Sequence, residues 1–309
     1  MNIYFAGSTF KGLNDWIQQN GFNKLFSQEN DRREIANWVA HKRANKENSS
    51  KLFIDSGAFS AHTKGVEIDV DEYIDYLNKN EDALTIYAQV DKIPGEFGKP
   101  KTPEQIAEAP KMSWDNYLYM APKLKNKDKL VPIFHQHEDF KWLKNMLEYV
   151  DENGKHIPYI GISPANDVSV KNKKEWLVEV FDIIKQSSNP NVHTHAFGMT
   201  SLNLLEAFPF TSADSTSWLM TAVTGSIFSQ YGTITISEQT QGKDKNFKNL
   251  PEQSQKNLIA YIESKGFTLE GLQQDYKQRQ YFNITYLADW ASNYKYKGSS
   301  LIQKPLFED

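Results

Sequence analysis

Two aspartates stand where a parallel α/β protein keeps its chemistry. Asp55 closes the apolar run Leu52-Phe53-Ile54 and opens Asp55-Ser56-Gly57-Ala58-Phe59. Asp214 sits much later in a similar setting, Ser212-Ala213-Asp214-Ser215-Thr216. Each acid follows a strand-like stretch and lies among small residues, as expected at the C-terminal end of a parallel strand. A reaction at a sugar C1′ needs such a pair, with one carboxylate to attack and one to move protons.

Other strand-like runs also end in polar residues. The runs span residues 3–6, 52–55, 84–91, 130–136, 157–163, 192–199, 210–214 and 232–237. They bring Asp91, Gln136, Ser163 and His195 to strand ends beside the two acids. Each acid alone could simply cap the next helix; the concentration on several strands points to a site. Gly57, Gly161 and Gly198 fall at the same ends, where glycine permits unusual backbone angles and close approach to a ligand.

Between the runs lie stretches with apolar residues three and four apart, at 31–43, 70–78, 103–124, 139–150 and 173–186. Their expected caps are Asp69, Thr102 followed by Pro103, and Glu138 or Asp139. Strand and helix alternate about eight times over about 240 residues, which predicts a (β/α)8 barrel. A doubly wound open sheet is the alternative. Residues 251–290 read as two further helices broken at Gly266, with Tyr276, Tyr281, Phe282, Tyr286 and Trp290 packing on the barrel. With no linker or repeat, residues 1–309 read as one barrel domain carrying a C-terminal helical extension over 251–309.

The chain has 309 residues, 39% hydrophobic and 13% aromatic, enough for a packed core. It has no long apolar run, so no membrane partner is expected. The N-terminal residues Met1 to Gly7 read as a first strand, not a signal peptide. Cysteine is absent, which excludes disulfides, thiolate zinc sites and a cysteine nucleophile, and fits a cytoplasmic setting. A net charge of −4 gives no global basic field. Local basic stretches at 41–43, 123–129, 171–174 and 243–248 are solvated faces unless several share one rim, where they could follow a phosphate backbone.

His135-Gln136-His137 and His193-Thr194-His195 are both His-x-His, and i and i+2 share a strand face. With an aspartate they suggest a metal-dependent barrel hydrolase as one competing reading. No His-x-His ends the first strand, so the expectation is no metal, with a histidine bonded to a phosphate or a carboxylate. There is no phosphate-binding glycine loop, no G-x-S-x-G elbow and no H-E-x-x-H, and no cofactor is expected.

The ordered set, over about residues 50 to 218, resembles the tRNA-guanine transglycosylase family. That family's aspartate-serine-glycine-glycine-aromatic motif is similar to Asp55 through Phe59. Its second aspartate is similar to Asp91, its purine-binding glutamine to Gln136, and its Ile-Gly-Gly segment to Ile160-Gly161-Ile162-Ser163. The end of its sixth strand is similar to His195-Ala196-Phe197-Gly198, and its nucleophile to Asp214. The resemblance implies a barrel that exchanges guanine in a nucleic acid for a 7-deazaguanine base. It implies Asp214 as nucleophile and Asp55 as general acid/base. Ser56, Phe59, Asp91, Gln136, Gly161, Ile162, Ser163, His195, Phe197 and Gly198 would contact the substrate, and a homodimer is implied.

The departures bear on the tRNA substrate more than on the chemistry. The family's zinc site needs three cysteines that this chain lacks. Ala58 replaces a glycine, and the segment around Asp214, Ser-Ala-Asp-Ser-Thr-Ser-Trp, carries no arginine. Phage and mobile-element enzymes that place 7-deazaguanines in DNA are similar in lacking strict tRNA features, so DNA is the expected acceptor over tRNA. A glycosylase that lets water take the intermediate would use the same site.

Overall fold

The computed structural model describes residues 1–8, 10, 12–199, 201–240 and 245–296. Its centre is a parallel sheet built from β1 (Asn2–Phe5), β2 (Asn23–Ser27), β3 (Leu52–Asp55), β4 (Ile86–Ala88), β5 (Leu130–Val131), β6 (Ile133–His135), β7 (Tyr159–Ser163), β8 (His193–Ala196) and β9 (Ser212–Ser215). The strand order is β5-β4-β3-β2-β1-β9-β8-β7-β6. The two end strands, β5 and β6, are halves of one run divided at Pro132. The sheet therefore rolls up until its ends meet, and eight staves form a (β/α)8 barrel. Proline has no N–H to give a ladder, but the Pro132 carbonyl accepts the Gly161 amide at 2.7 Å across the seam.

The helices cover the outside. They are α1 (Leu13–Gln19), α2 (Arg32–Ala44), α3 (Ala58–Lys64), α4 (Val70–Asn80), α5 (Pro103–Met120), α6 (Phe140–Glu148), α7 (Val170–Gln186), α8 (Leu202–Ala207) and α9 (Ser217–Val223). The sequence-read caps hold for several of them. The Asp69 carboxylate accepts the Glu72 amide at 2.9 Å, and Asp139 accepts that of Lys141 at 2.9 Å. Thr102 and Gln105 form a reciprocal capping box in front of Pro103.

Strand alternation sorts the core into two layers. Tyr4, Phe53, Ile86, Ala88, Val131 and Ile133 fill the barrel interior, joined by Tyr159 and Phe197. The opposite strand faces, with Phe5, Phe26, Ile54, Tyr87, Phe134 and Ile162, pack against the helices.

Two strand assignments differ from the sequence reading. The second stave, β2, was not expected, because Asn-Lys-Leu-Phe-Ser places a lysine among its outward residues. Lys24 is nevertheless fully buried, with its ammonium donating to the Gly7 carbonyl. Residues 232–237, expected as the last barrel strand, instead supply β11 (Gly232–Thr235), which pairs only with β10 (Ser226–Ser229) in an antiparallel hairpin. The barrel was already closed by β9 pairing with β1.

The tail forms three helices rather than two: α10 (Glu252–Ser264), α11 (Leu269–Gln274) and α12 (Tyr276–Ser292). Gly266, at φ +79°, breaks the first two as expected. Phe282 is buried with the hairpin residues Ile227 and Ile234. Tyr281 stacks edge-on against Trp16 and Phe10, and Trp290 donates to Glu206. Tyr276, by contrast, is exposed. Residues 297–309 of the expected extension lie outside the described residues. Among the described residues, no helix is long and apolar enough to cross a membrane.

Candidate active site

The C-terminal strand ends open into a cleft of about 740 Å³. Asp55, Phe59, Asp91, Gln136, Ser163 and Phe197 line it together, as do His135 and Glu138. Phe59 lies in the first turn of α3 and is 68% exposed at the mouth. A neighbouring hollow of about 650 Å³ shares Asp91 and Lys92 with this cleft.

Asp55 ends β3, and the chain then turns through Gly57 at φ +84° into α3. A side chain at residue 57 would clash, since a Cβ there would lie 2.6 Å from both Glu29 Cβ and Ser27 Oγ. The turn lets the Gly57 amide donate to Asp55 Oδ2 at 3.0 Å. Burial nevertheless pushes the Asp55 carboxyl up to about 7, and the negative charges of Asp91 and Asp214 add to the rise. That acid can exchange a proton near neutrality.

Asp214, on β9, has different surroundings. It is 8% exposed and lies outside the lining of the 740 Å³ cleft. Its Oδ1 accepts the Gly198 amide at 2.8 Å and faces His195 Nε2 at 3.2 Å. His195 is buried in the barrel, edge-on to Tyr4, Phe53 and Phe197. Burial lowers its pKa against the pull of Asp214, favouring the neutral ring. A carboxylate only accepts, so Nε2 carries the hydrogen and Nδ1 accepts. The Ser212 hydroxyl lies 2.6 Å from Nδ1, and the Tyr159 hydroxyl lies 2.7 Å from Ser212. A chain of donors thus runs from Tyr159 through Ser212 and His195 to Asp214.

Asp91, just beyond β4, is occupied on both oxygens. Oδ1 accepts Gln89 Nε2 at 2.7 Å, and Oδ2 pairs with His135 Nε2 at 3.0 Å. Burial opposes charging of His135, but Asp91, Glu138 and Asp55 outweigh it and raise its pKa to about 9. Glu138 is itself pushed up to about 7 by burial, while its Oε2 accepts the His135 amide at 3.1 Å.

Several expected contacts take other roles. Gln136 lines the cleft, yet its Oε1 accepts the Ala165 amide at 3.0 Å. Gly161 makes room for a side chain rather than for a ligand, because a Cβ there would sit 2.4 Å from the Phe197 ring. The Ile162 carbonyl accepts the Phe197 amide and that of Ser163 accepts the Gln136 amide, both at 2.9 Å in the barrel ladder. Ile162 faces the helix layer, Ser56 is buried beside Asp55, and Gly198 contributes its amide to Asp214. Of the residues that enclose this site, His135 was read as half of a metal pair or as a histidine bonded to a phosphate or carboxylate, and it does pair with Asp91; Glu138, Tyr159 and Ser212 were not read as site residues. The alternation Val131-Ile133-His135 was the signal for the first.

The two His-x-His pairs do not converge. His193 is exposed at the start of β8 and meets Thr211, whereas His195 is buried one pleat higher. His137, at φ 81°, has already left the strand that carries His135. Among the described residues, no three His, Cys, Asp or Glu side chains are grouped to hold a metal ion.

The first three basic stretches do not gather on one rim. Residues 41–43 form the last turn of α2 and residues 123–129 follow the C-terminus of α5, on the face away from the cleft. Arg43, Lys123, Lys127 and Lys129 there pair with Asp82, Asp71, Asp151 and Glu81. Residues 171–174 open α7 on the cleft side. In the fourth stretch, Lys243 lies outside the described residues. No protein-family model matches this chain, and no curated protein matches it.

Proposed function

We propose that this protein is a base-exchange transglycosylase that replaces guanine in a nucleic acid with a 7-deazaguanine. The observation that carries the reading is the unlike treatment of two strand-end acids. Asp214 is pinned through one oxygen by two donors, and its other oxygen has no hydrogen-bond partner among the described residues. Two donors on one oxygen fix the carboxylate's orientation and leave the other oxygen free to attack, which suits a nucleophile. Asp55 is held near pH 7 by burial and by its neighbours, which suits a proton carrier.

Asp214 attacks C1′ of the target nucleoside, and the bond to guanine breaks as Asp55 gives its proton to the departing base. The incoming 7-deazaguanine then attacks C1′ through N9. Asp55 accepts the N9 proton, and Asp214 leaves as carboxylate. Two inversions retain configuration. Phe59 and Phe197 offer faces for stacking an extruded base. The preference for DNA over tRNA rests on the missing cysteines and arginines.

The test is nucleoside mass spectrometry after incubation with duplex DNA, single-stranded DNA or tRNA, each with and without 7-deazaguanine. A deazaguanosine in one digest supports exchange and names the acceptor. Abasic sites without incorporation would make the protein a glycosylase that uses the same acids with water. No change in any substrate would remove the reading.

A further inference from the structure

We propose that His135, not Gln136, reads the base, by donating one ring N–H to a carbonyl oxygen on the edge of a flat heterocycle in the cleft. This rests on the base-exchange reading and assigns the specificity of that same site.

Strand geometry supplies the first argument. Val131 and Ile133 point into the barrel, and residues two apart share a face, so His135 continues the inward row at its open end. Gln136 is one residue out of phase, and its oxygen is committed to the Ala165 amide at 3.0 Å.

Hydrogen bonding supplies the second. His135 Nε2 is fixed on Asp91 at 3.0 Å. Its Nδ1 has no hydrogen-bond partner among the described residues, although the ring lines the cleft. The groups that bear on it are Asp91, Glu138 and Asp55, all acidic, and they keep the ring charged near neutrality. Both ring nitrogens of a charged histidine donate. A donor left unmatched when a ligand displaces water is costly, and an amino group opposite it would set donor against donor. A ring carbonyl satisfies it. The cleft therefore favours a 6-carbonyl base over its 6-amino counterpart.

The experiment is calorimetric titration of the full chain with 7-deazaguanine and with 2,6-diamino-7-deazapurine. Wild type should prefer the carbonyl base. His135→Ala should weaken 7-deazaguanine binding about ten- to a hundredfold while moving the diamino base by less than about threefold. His135→Gln, which keeps a neutral donor, should recover part of the loss and covers the case in which the alanine variant does not fold. Gln136→Ala should weaken 7-deazaguanine by less than His135→Ala does, and should affect the two bases alike. If Gln136→Ala shows the loss and His135→Ala does not, the assignment is overturned while base exchange stands. If wild type binds neither base, the base-exchange reading falls and takes this assignment with it.

Discussion

His195 Nε2 lies 3.2 Å from Asp214 Oδ1, and the same oxygen accepts the Gly198 amide at 2.8 Å. One carboxylate oxygen is therefore anchored by two groups from a single neighbouring strand end. An Asp214→Asn protein would keep the shape but lose the nucleophile. Wild type incubated with its acceptor should show a glycosyl adduct by intact-protein mass spectrometry, and Asp214→Asn should show none. An asparagine variant that exchanges base at the wild-type rate would refute the role.

Tyr159 and Ser212 reach Asp214 only through His195. Ser212→Ala removes the hydroxyl that faces Nδ1 at 2.6 Å and frees the ring to change tautomer. Adduct formation should slow by about tenfold. Nitrogen NMR of the imidazole should show a pure Nε2–H tautomer in wild type and a mixture in the variant. An unchanged NMR signature would reduce the chain to simple packing.

Asp55 should give opposite pH limbs in the two half-reactions. Its carboxyl is pushed up to about 7, so adduct formation, which needs the proton, should fall as pH rises through about 7. Base capture, which needs the carboxylate, should rise over the same range. Single-turnover rates measured separately for each step check this, and Asp55→Asn should lower both by about 10²–10⁴.

The same shift has a stability consequence. A carboxyl whose pKa is raised by folding binds more protons in the native state, so stability falls as pH climbs from about 4 to 7. Asp55→Asn should raise the melting temperature by about 2–6 °C at pH 8, and by little at pH 4. Partial exposure at the strand end places the gain toward the lower figure.

Lys24 runs the other way in pH. Burial lowers its pKa to about 7, so the unfolded chain holds the extra proton between pH 7 and 10.5, and stability rises with pH across that window. Lys24→Met, of similar volume, should be neutral or stabilise by about 1–4 kcal/mol at pH 6 and remove the slope. Denaturant melts at pH 6 and pH 9 decide it, and a strongly destabilised variant would show that the Gly7 contact outweighs the cost of burial.

The sequence by itself determined the alternation of strands and helices, several helix caps and the placing of acids at strand ends. These are local matters: periodicity, capping chemistry and a polar residue after an apolar run are read within a few residues of each other. The lysine-bearing β2 escaped that reading, because Lys24 tolerates burial only beside a carbonyl 17 residues away. Residues 232–237 read as a stave because an isolated run looks the same whether its edge is free or already occupied. Only tertiary structure decided which strand ends are neighbours. Closure at Pro132 and pairing of β9 with β8 set His195 against Asp214 and the β4 end against His135. Those contacts cross 19 and 44 residues of chain, and they fix which groups face each acid.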